Sequence, residues 1–171
     1  MQNYFELFDL KPSFFVDDDA LIKAYQAQVT RFHPDNFATK SQAEQLQALQ
    51  NTSLVNSAYT ALKTPLNRAS YLLNLENINP FDEKDTNMDT NFLVSQIELR
   101  EQLESIKEQQ DNLALDEFIE QIQDFISDNI ASISEAFTQS LDLQEIKTLV
   151  RELKFYEQLN KEANILMDEW L

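Results

Sequence analysis

An all-α fold follows from three features of this sequence. Its 171 residues include no glycine, and two-residue hairpins and bulged sheets depend on that residue for positive φ. Helices need it only at their C-terminal caps, where Asn can substitute. Apolar residues recur at helical spacing through most of the chain, and Pro12, Pro34 and Pro65 stand where helices stop or start. The expected architecture is two helical units, an antiparallel hairpin with short helices followed by an antiparallel three-helix bundle.

The elements read in order as follows. Asn3 to Phe8 is a short apolar turn of helix ending before Lys11-Pro12. Asp17-Asp18-Asp19 places carboxylates at a helix start, where they cap free N–H groups and meet the positive end of the macrodipole. Leu21, Ala24, Tyr25, Gln28, Val29 and Phe32 continue that helix. Pro34 stops it, because proline drives the preceding His33 out of the α region. Ser41 with Glu44 forms a capping box, and Leu46, Leu49, Val55, Ala58, Tyr59 and Leu62 mark the apolar positions of the long helix that follows. Thr64-Pro65 is a cap followed by proline at the first helical position. A shorter helix then runs through Ala69, Tyr71, Leu72 and Leu75.

Residues 77–90 are polar and aperiodic and include Asn79-Pro80, so 77–88 reads as a linker between domains at 1–76 and 89–171. Beyond it, helical stretches span about 89–110, 112–140 and 142–170, with turns near Asp111 and Leu141-Asp142. Short turns between long helices make neighbours antiparallel, hence a three-helix bundle.

Composition narrows the chemistry. Without glycine, no phosphate-cradling P-loop or dinucleotide loop can form. Without cysteine, the chain has no disulfide, thiolate nucleophile or Cys-ligated metal, and its one histidine argues against a transition-metal site. No cofactor is expected. Neither a signal peptide pattern nor a membrane-length run is present, which points to a reducing cytoplasm. The net charge is −17. Residues 1–76 carry −2 of it and residues 77–171 carry −15. Such acidity repels nucleic acid and anionic membranes, so the expected partners are proteins.

The informative segment is Arg31-Phe32-His33-Pro34-Asp35-Asn36-Phe37, set between two amphipathic helices. A His-Pro-Asp tripeptide alone is a weak signal, and a plain helix-helix loop accounts for it equally well. Its context is more specific. A short first helix, a Tyr-bearing second helix, the tripeptide and a long third helix together resemble a J-domain. Tyr4-Phe5-Glu6-Leu7-Phe8, Phe37-Ala38, Ser41 to Leu46, Asn56-Ser57-Ala58-Tyr59 and Pro65 to Leu73 resemble the HscB branch of that family. The resemblance implies a co-chaperone of iron-sulfur cluster assembly that activates a partner's ATPase and is not itself an enzyme. It implies docking of the second helix and the tripeptide on a DnaK-type chaperone (HscA), through His33, Pro34 and Asp35 with Lys23 and Arg31.

Physical chemistry supports those roles. Pro34 stiffens the loop, which lowers the ordering cost of presenting Asp35. Asp35 is suited to a charge-assisted bond with an arginine. His33 is expected to orient the loop or bond a backbone group. Where relatives carry a basic residue after the aspartate this chain has Asn36, and only Lys23, Arg31 and the loop residue Lys40 supply positive charge nearby. Association with the chaperone is therefore expected to be weaker than in a more basic relative, and still salt-sensitive.

A second surface is expected after the linker. Phe92, Leu99, Leu103 and Ile106 fall in one narrow stripe. Leu93 and Ile97 lie about 100° and 140° from it, and Val94 about 200°. They form an apolar patch flanked by Glu98, Glu101 and Glu104. A wide core, or packing against the N-terminal domain, explains such a patch as well as a binding site does. Residues 92–101 resemble the HscB segment that binds the iron-sulfur scaffold protein (IscU). That resemblance nominates Leu93, Val94, Ile97, Glu98, Glu101 and, in the last helix, Phe155. Phe155 lies about 200° from Leu153, so it is expected to face outward. The alternative is a general J-domain co-chaperone whose bundle binds a different client.

Overall fold

The computed structural model describes residues 3–85 and 88–171. Among these residues the chain is entirely helical, with seven α-helices and one short 3-10 turn. Residue contacts divide it into two compact units, Met1–Glu76 and Asn77–Leu171. No helix of the described residues is long and apolar enough to cross a membrane.

The first unit holds α1 (Tyr4–Leu7), α2 (Asp18–Arg31), α3 (Gln42–Leu62) and α4 (Pro65–Leu75). Each start is set by a local cap. The Asn3 side chain accepts from the Glu6 N–H, Asp17 from Asp19 and Ala20, Ser41 from Glu44 and Thr64 from Asn67. Asn3–Glu6 and Ser41–Glu44 are full capping boxes, in which Glu also bonds the cap's own N–H. Removing such a cap costs about 1 kcal/mol. Phe5, Phe8, Leu21, Val55, Ala58 and Leu62 form the core. Tyr25 stacks on Tyr59 with ring centroids 4.2 Å apart, and its hydroxyl donates to Asn56 Oδ1 at 2.7 Å. These contacts hold α2 against α3.

Arg68 is 6% exposed and fastens four segments together. From α4, its Nε donates to the Leu62 carbonyl at the end of α3, and its Nη1 to the Phe14 carbonyl, both at 2.9 Å. Nη2 lies 3.5 Å from Asp18 at the start of α2. Burial draws its guanidinium pKa downward and the Asp18 charge pushes back. A buried cation is tolerated because carbonyls and a carboxylate meet its donors.

The second unit is a bundle of α5 (Thr90–Gln109), α6 (Asn112–Thr138) and α7 (Leu143–Trp170). α6 and α7 pair along their length, and α5 packs on both. The predicted stripe of α5 is the buried one, Phe92, Leu99, Leu103 and Ile106. It meets Leu115, Phe118, Ile119 and Ile122 of α6 and Phe155, Leu159, Ala163 and Leu166 of α7.

Lacking glycine, the chain places other residues where φ is positive: Asp9, Asn77, Gln110 and Ser140. After α5 the Asp111 N–H reaches the Ile106 carbonyl, and after α6 the Leu141 N–H reaches that of Ala136. Those are the six-to-one bonds of a Schellman cap, closed on non-glycine residues at a steric cost.

Two expectations about packing fail. Leu46 and Leu49, read as apolar positions of the long helix, are 56% and 62% exposed. The early turns of α3 lie beside the 3-10 turn rather than under α2, and Ala48 is the buried residue there. Part of the segment read as a linker folds onto the bundle: Pro80 is buried, and Asp85 pairs with Lys147 and Arg151 of α7. Thr86 and Asn87 of that segment lie outside the described residues.

Candidate functional site

The tripeptide turn is built almost wholly from local bonds. α2 ends at Arg31, and His33 adopts φ −57° and ψ 135°, the extended geometry that a following proline imposes. Pro34 opens the 3-10 turn Pro34–Phe37. His33 Nδ1 accepts the Asp35 N–H at 3.2 Å, and the Asn36 N–H donates to the His33 carbonyl at 3.0 Å. Asn36 Nδ2 reaches back 2.7 Å to the Thr30 carbonyl at the end of α2. From α3, Thr52 Oγ1 donates to the Phe32 carbonyl at 3.2 Å. His33 thus orients the loop through a backbone bond.

What this turn presents is Asp35. Its side chain is 91% exposed, and its nearest cationic neighbour is the His33 imidazole at 3.6 Å, a pair only when His33 is protonated. Lys23, Arg31 and Lys40 are exposed too. None of the three makes an ion pair among the described residues, and Arg31 rests 5.2 Å from the Phe32 ring centroid. No His, Cys, Asp or Glu cluster among the described residues has the grouping a metal ion needs. Beside the turn, Leu46 and Leu49 line a groove of about 390 Å³ with Pro34, Phe37 and Ala38.

On the bundle, Leu93, Val94 and Ile97 are 40%, 47% and 59% exposed. Glu98, Glu101 and Glu104 are exposed around them. Phe155 corrects the sequence reading, being only 8% exposed. α7 packs on both α5 and α6, so its buried surface is wider than one stripe. Leu153 and Phe155 are buried together, and Phe155 meets Phe92 edge to face. The Arg100 guanidinium lies 5.4 Å from the Phe155 ring centroid.

Phe155 still lines an open cleft of about 450 Å³ that also includes Leu93. Phe81, Asp82, Glu83 and Asp85 form its other side, a contribution hidden in the sequence by their polar surroundings. Pro80-Phe81 was the available signal, an apolar pair within an otherwise polar stretch. Lys154 stands 4.1 Å from the Phe81 ring centroid. Deeper between the helices, Glu152 is held above the usual carboxylate range by burial and then by the Asp89 charge, while Asn129 Nδ2 donates to it at 3.3 Å. Burial raises Glu157 likewise.

Comparison with known proteins accounts for both units. Residues 88–164 match the family model described as the HSCB C-terminal oligomerisation domain. The chain is 37% identical to the co-chaperone protein HscB homolog of Vibrio campbellii over 170 residues, covering 99% of each. The structure of chaperone HscB from Vibrio cholerae superposes with a TM-score of 0.87 at 38% identity, across 99% of this chain and 100% of that one. Human co-chaperone protein HscB gives 0.89 at 30% identity, covering 96% and 82%. With full-length similarity at this level, over a J-domain and a helical bundle alike, the chain belongs to the HscB co-chaperone family.

Proposed function

We propose that this chain binds an iron-sulfur scaffold protein of the IscU type and delivers it to a DnaK-type chaperone of the HscA type, stimulating that chaperone's ATPase. The work takes place in the cytoplasm and promotes cluster assembly or transfer. His33, Pro34 and Asp35, with Lys23 and Arg31, engage the chaperone. Leu93, Val94, Ile97, Glu98, Glu101 and the cleft-lining Phe155 engage the scaffold. Bond breaking belongs to the partner; this chain supplies two binding surfaces. Carrying both on one chain raises the concentration of scaffold at the chaperone.

The observation that carries this reading is the Asp35 carboxylate, 91% exposed on a turn tied down by local hydrogen bonds. A rigid, unengaged carboxylate is ready for a charge-assisted bond at little ordering cost. The test is a steady-state ATPase assay combining chaperone, scaffold and this protein. Asp35→Ala is expected to abolish stimulation while leaving the melting curve unchanged. Undiminished stimulation by a well-folded Asp35→Ala variant sinks the proposal. If stimulation holds but purified scaffold fails to bind, the bundle serves a different client.

A further inference from the structure

His33 is the only histidine in the chain, and histidine is the side chain that ordinarily changes charge near neutral pH. Its side chain is 53% exposed, so solvent protons reach the ring directly. Two groups of Asp35 compete for one atom of that ring. Nδ1 accepts the Asp35 N–H at 3.2 Å, and the same Nδ1 lies 3.6 Å from Asp35 Oδ2. Accepting needs a lone pair on Nδ1, so the neutral ring must carry its proton on Nε2. Pairing with the carboxylate needs a proton on Nδ1. The two arrangements exclude each other.

Few other charges stand near this turn. α2 brings Arg31, whose guanidinium lies over the Phe32 ring, and Lys23 roughly two helical turns earlier. The loop brings Lys40. α3 carries a single charged residue, Glu44, and its carboxylate is bonded to Ser41. Among the described residues, Asp35 is therefore the carboxylate placed to receive a protonated Nδ1. The rest of the turn does not depend on that proton. The Asn36 N–H donates to the His33 carbonyl, and Asn36 Nδ2 donates to that of Thr30, in either state of the ring.

We propose that His33 is a proton switch on the docking corner. Neutral, it holds the Asp35 backbone and leaves the carboxylate facing outward. Protonated, it releases that backbone and takes the carboxylate for itself. A cationic group of the chaperone must then displace an imidazolium that already neutralises Asp35, and it meets a positive charge where there was none. Docking and ATPase stimulation weaken as pH falls, while the turn and the fold stay intact. This regulation rests on the docking reading of Asp35 given above.

The free full-length protein is read first, by long-range proton–nitrogen NMR, in which a lone histidine gives unambiguous ring signals. At about pH 8 the Nε2–H form is expected, and the Asp35 amide signal should move together with the ring as pH is lowered to about 5.5. A neutral ring protonated on Nδ1, or an Asp35 amide that stays fixed while the ring titrates, overturns the proposal. Binding of purified HscA-type chaperone is then measured by calorimetry at the same two pH values, for the parent and for His33→Asn. The asparagine oxygen can accept the Asp35 N–H but takes up no proton. The readout is each protein's loss of affinity between the two pH values, because titration of the chaperone's own groups affects both alike. The parent is expected to lose about threefold to tenfold more than the variant. Equal losses overturn the switch and leave the docking reading in place. A parent that binds no chaperone at the higher pH overturns both. Should His33→Asn bind too weakly to measure, the NMR result decides alone.

Discussion

The rings of Phe92 and Phe155 meet edge to face, with centroids 5.7 Å apart and planes at 88°. Phe92 sits near the start of α5 and Phe155 in the middle of α7, so this pair fixes how the early turns of α5 lie on the bundle. With Phe92 turned inward, the next residues, Leu93 and Val94, must turn out. The contact that is buried thereby orients the patch that is not.

Phe155 is accordingly expected to matter first to stability. Phe155→Ala should cost the bundle about 3–5 kcal/mol, read as a lower urea midpoint, and partner binding should fall with it. Leu93→Ala, at a position 40% exposed, should cost about 1 kcal/mol or less while reducing scaffold affinity. Equal losses of stability in the two variants would contradict this division.

Asn36 exchanges attraction for a tether. Its side chain bonds the Thr30 carbonyl at 2.7 Å instead of offering a positive charge. Asn36→Lys should lower stability by about 0.5 kcal/mol. It should also tighten association with the chaperone about threefold at low ionic strength, and the gain should vanish near about 0.5 M salt. Surface plasmon resonance across a salt series reads this; a gain that persists at high salt would mean the contact is not electrostatic.

Gln110 and Ser140 hold φ of 52° at the ends of α5 and α6. A Cβ costs energy in this conformation, whereas glycine adopts it freely at the expense of extra freedom when unfolded. Gln110→Gly and Ser140→Gly should each stabilise the bundle by about 0.5–1 kcal/mol. Their sites are on separate turns, so the gains should add in a thermal melt. A destabilised double variant would show that the side chains contribute more than the strain removes.

Glu152 gives a pH-dependent expectation. Burial, reinforced by Asp89, raises its pKa on folding, so its ionisation opposes folding. That penalty is absent below the unfolded value of about 4.3, grows as pH rises through the window up to the folded value, and is complete above it. Glu152→Gln keeps an acceptor for Asn129 and should raise Tm by about 2 °C at pH 7. The advantage should disappear below about pH 4. A gain of equal size at pH 3.5 would assign it to packing instead.

Local chemistry was legible in the sequence and tertiary choice was not. Asp17, Ser41 and Thr64 were readable as caps because a cap is decided within a few residues, whereas Asn3, read as part of the first helical turn, is its cap. The buried stripe of α5 and the extended His33 were readable for the same reason. Phe155 was misread because its burial depends on α5 arriving on a second side of α7. Leu46 and Leu49 were misread because α2 stops short of covering them. Asp85 looked like one more acid in a polar stretch until the fold brought Lys147 and Arg151 beside it.

Arg68 has a consequence for how the smaller unit comes apart. Its guanidinium bonds Leu62, Phe14 and Asp18 at once, so releasing any one of those stretches strands charge and carbonyls away from water. Partial opening is thereby made expensive, and the hairpin that displays the acidic corner survives or dissolves with everything it is fastened to. Amide exchange across α2, α3 and α4 would then follow one common free energy, leaving only the loop tip to open by itself.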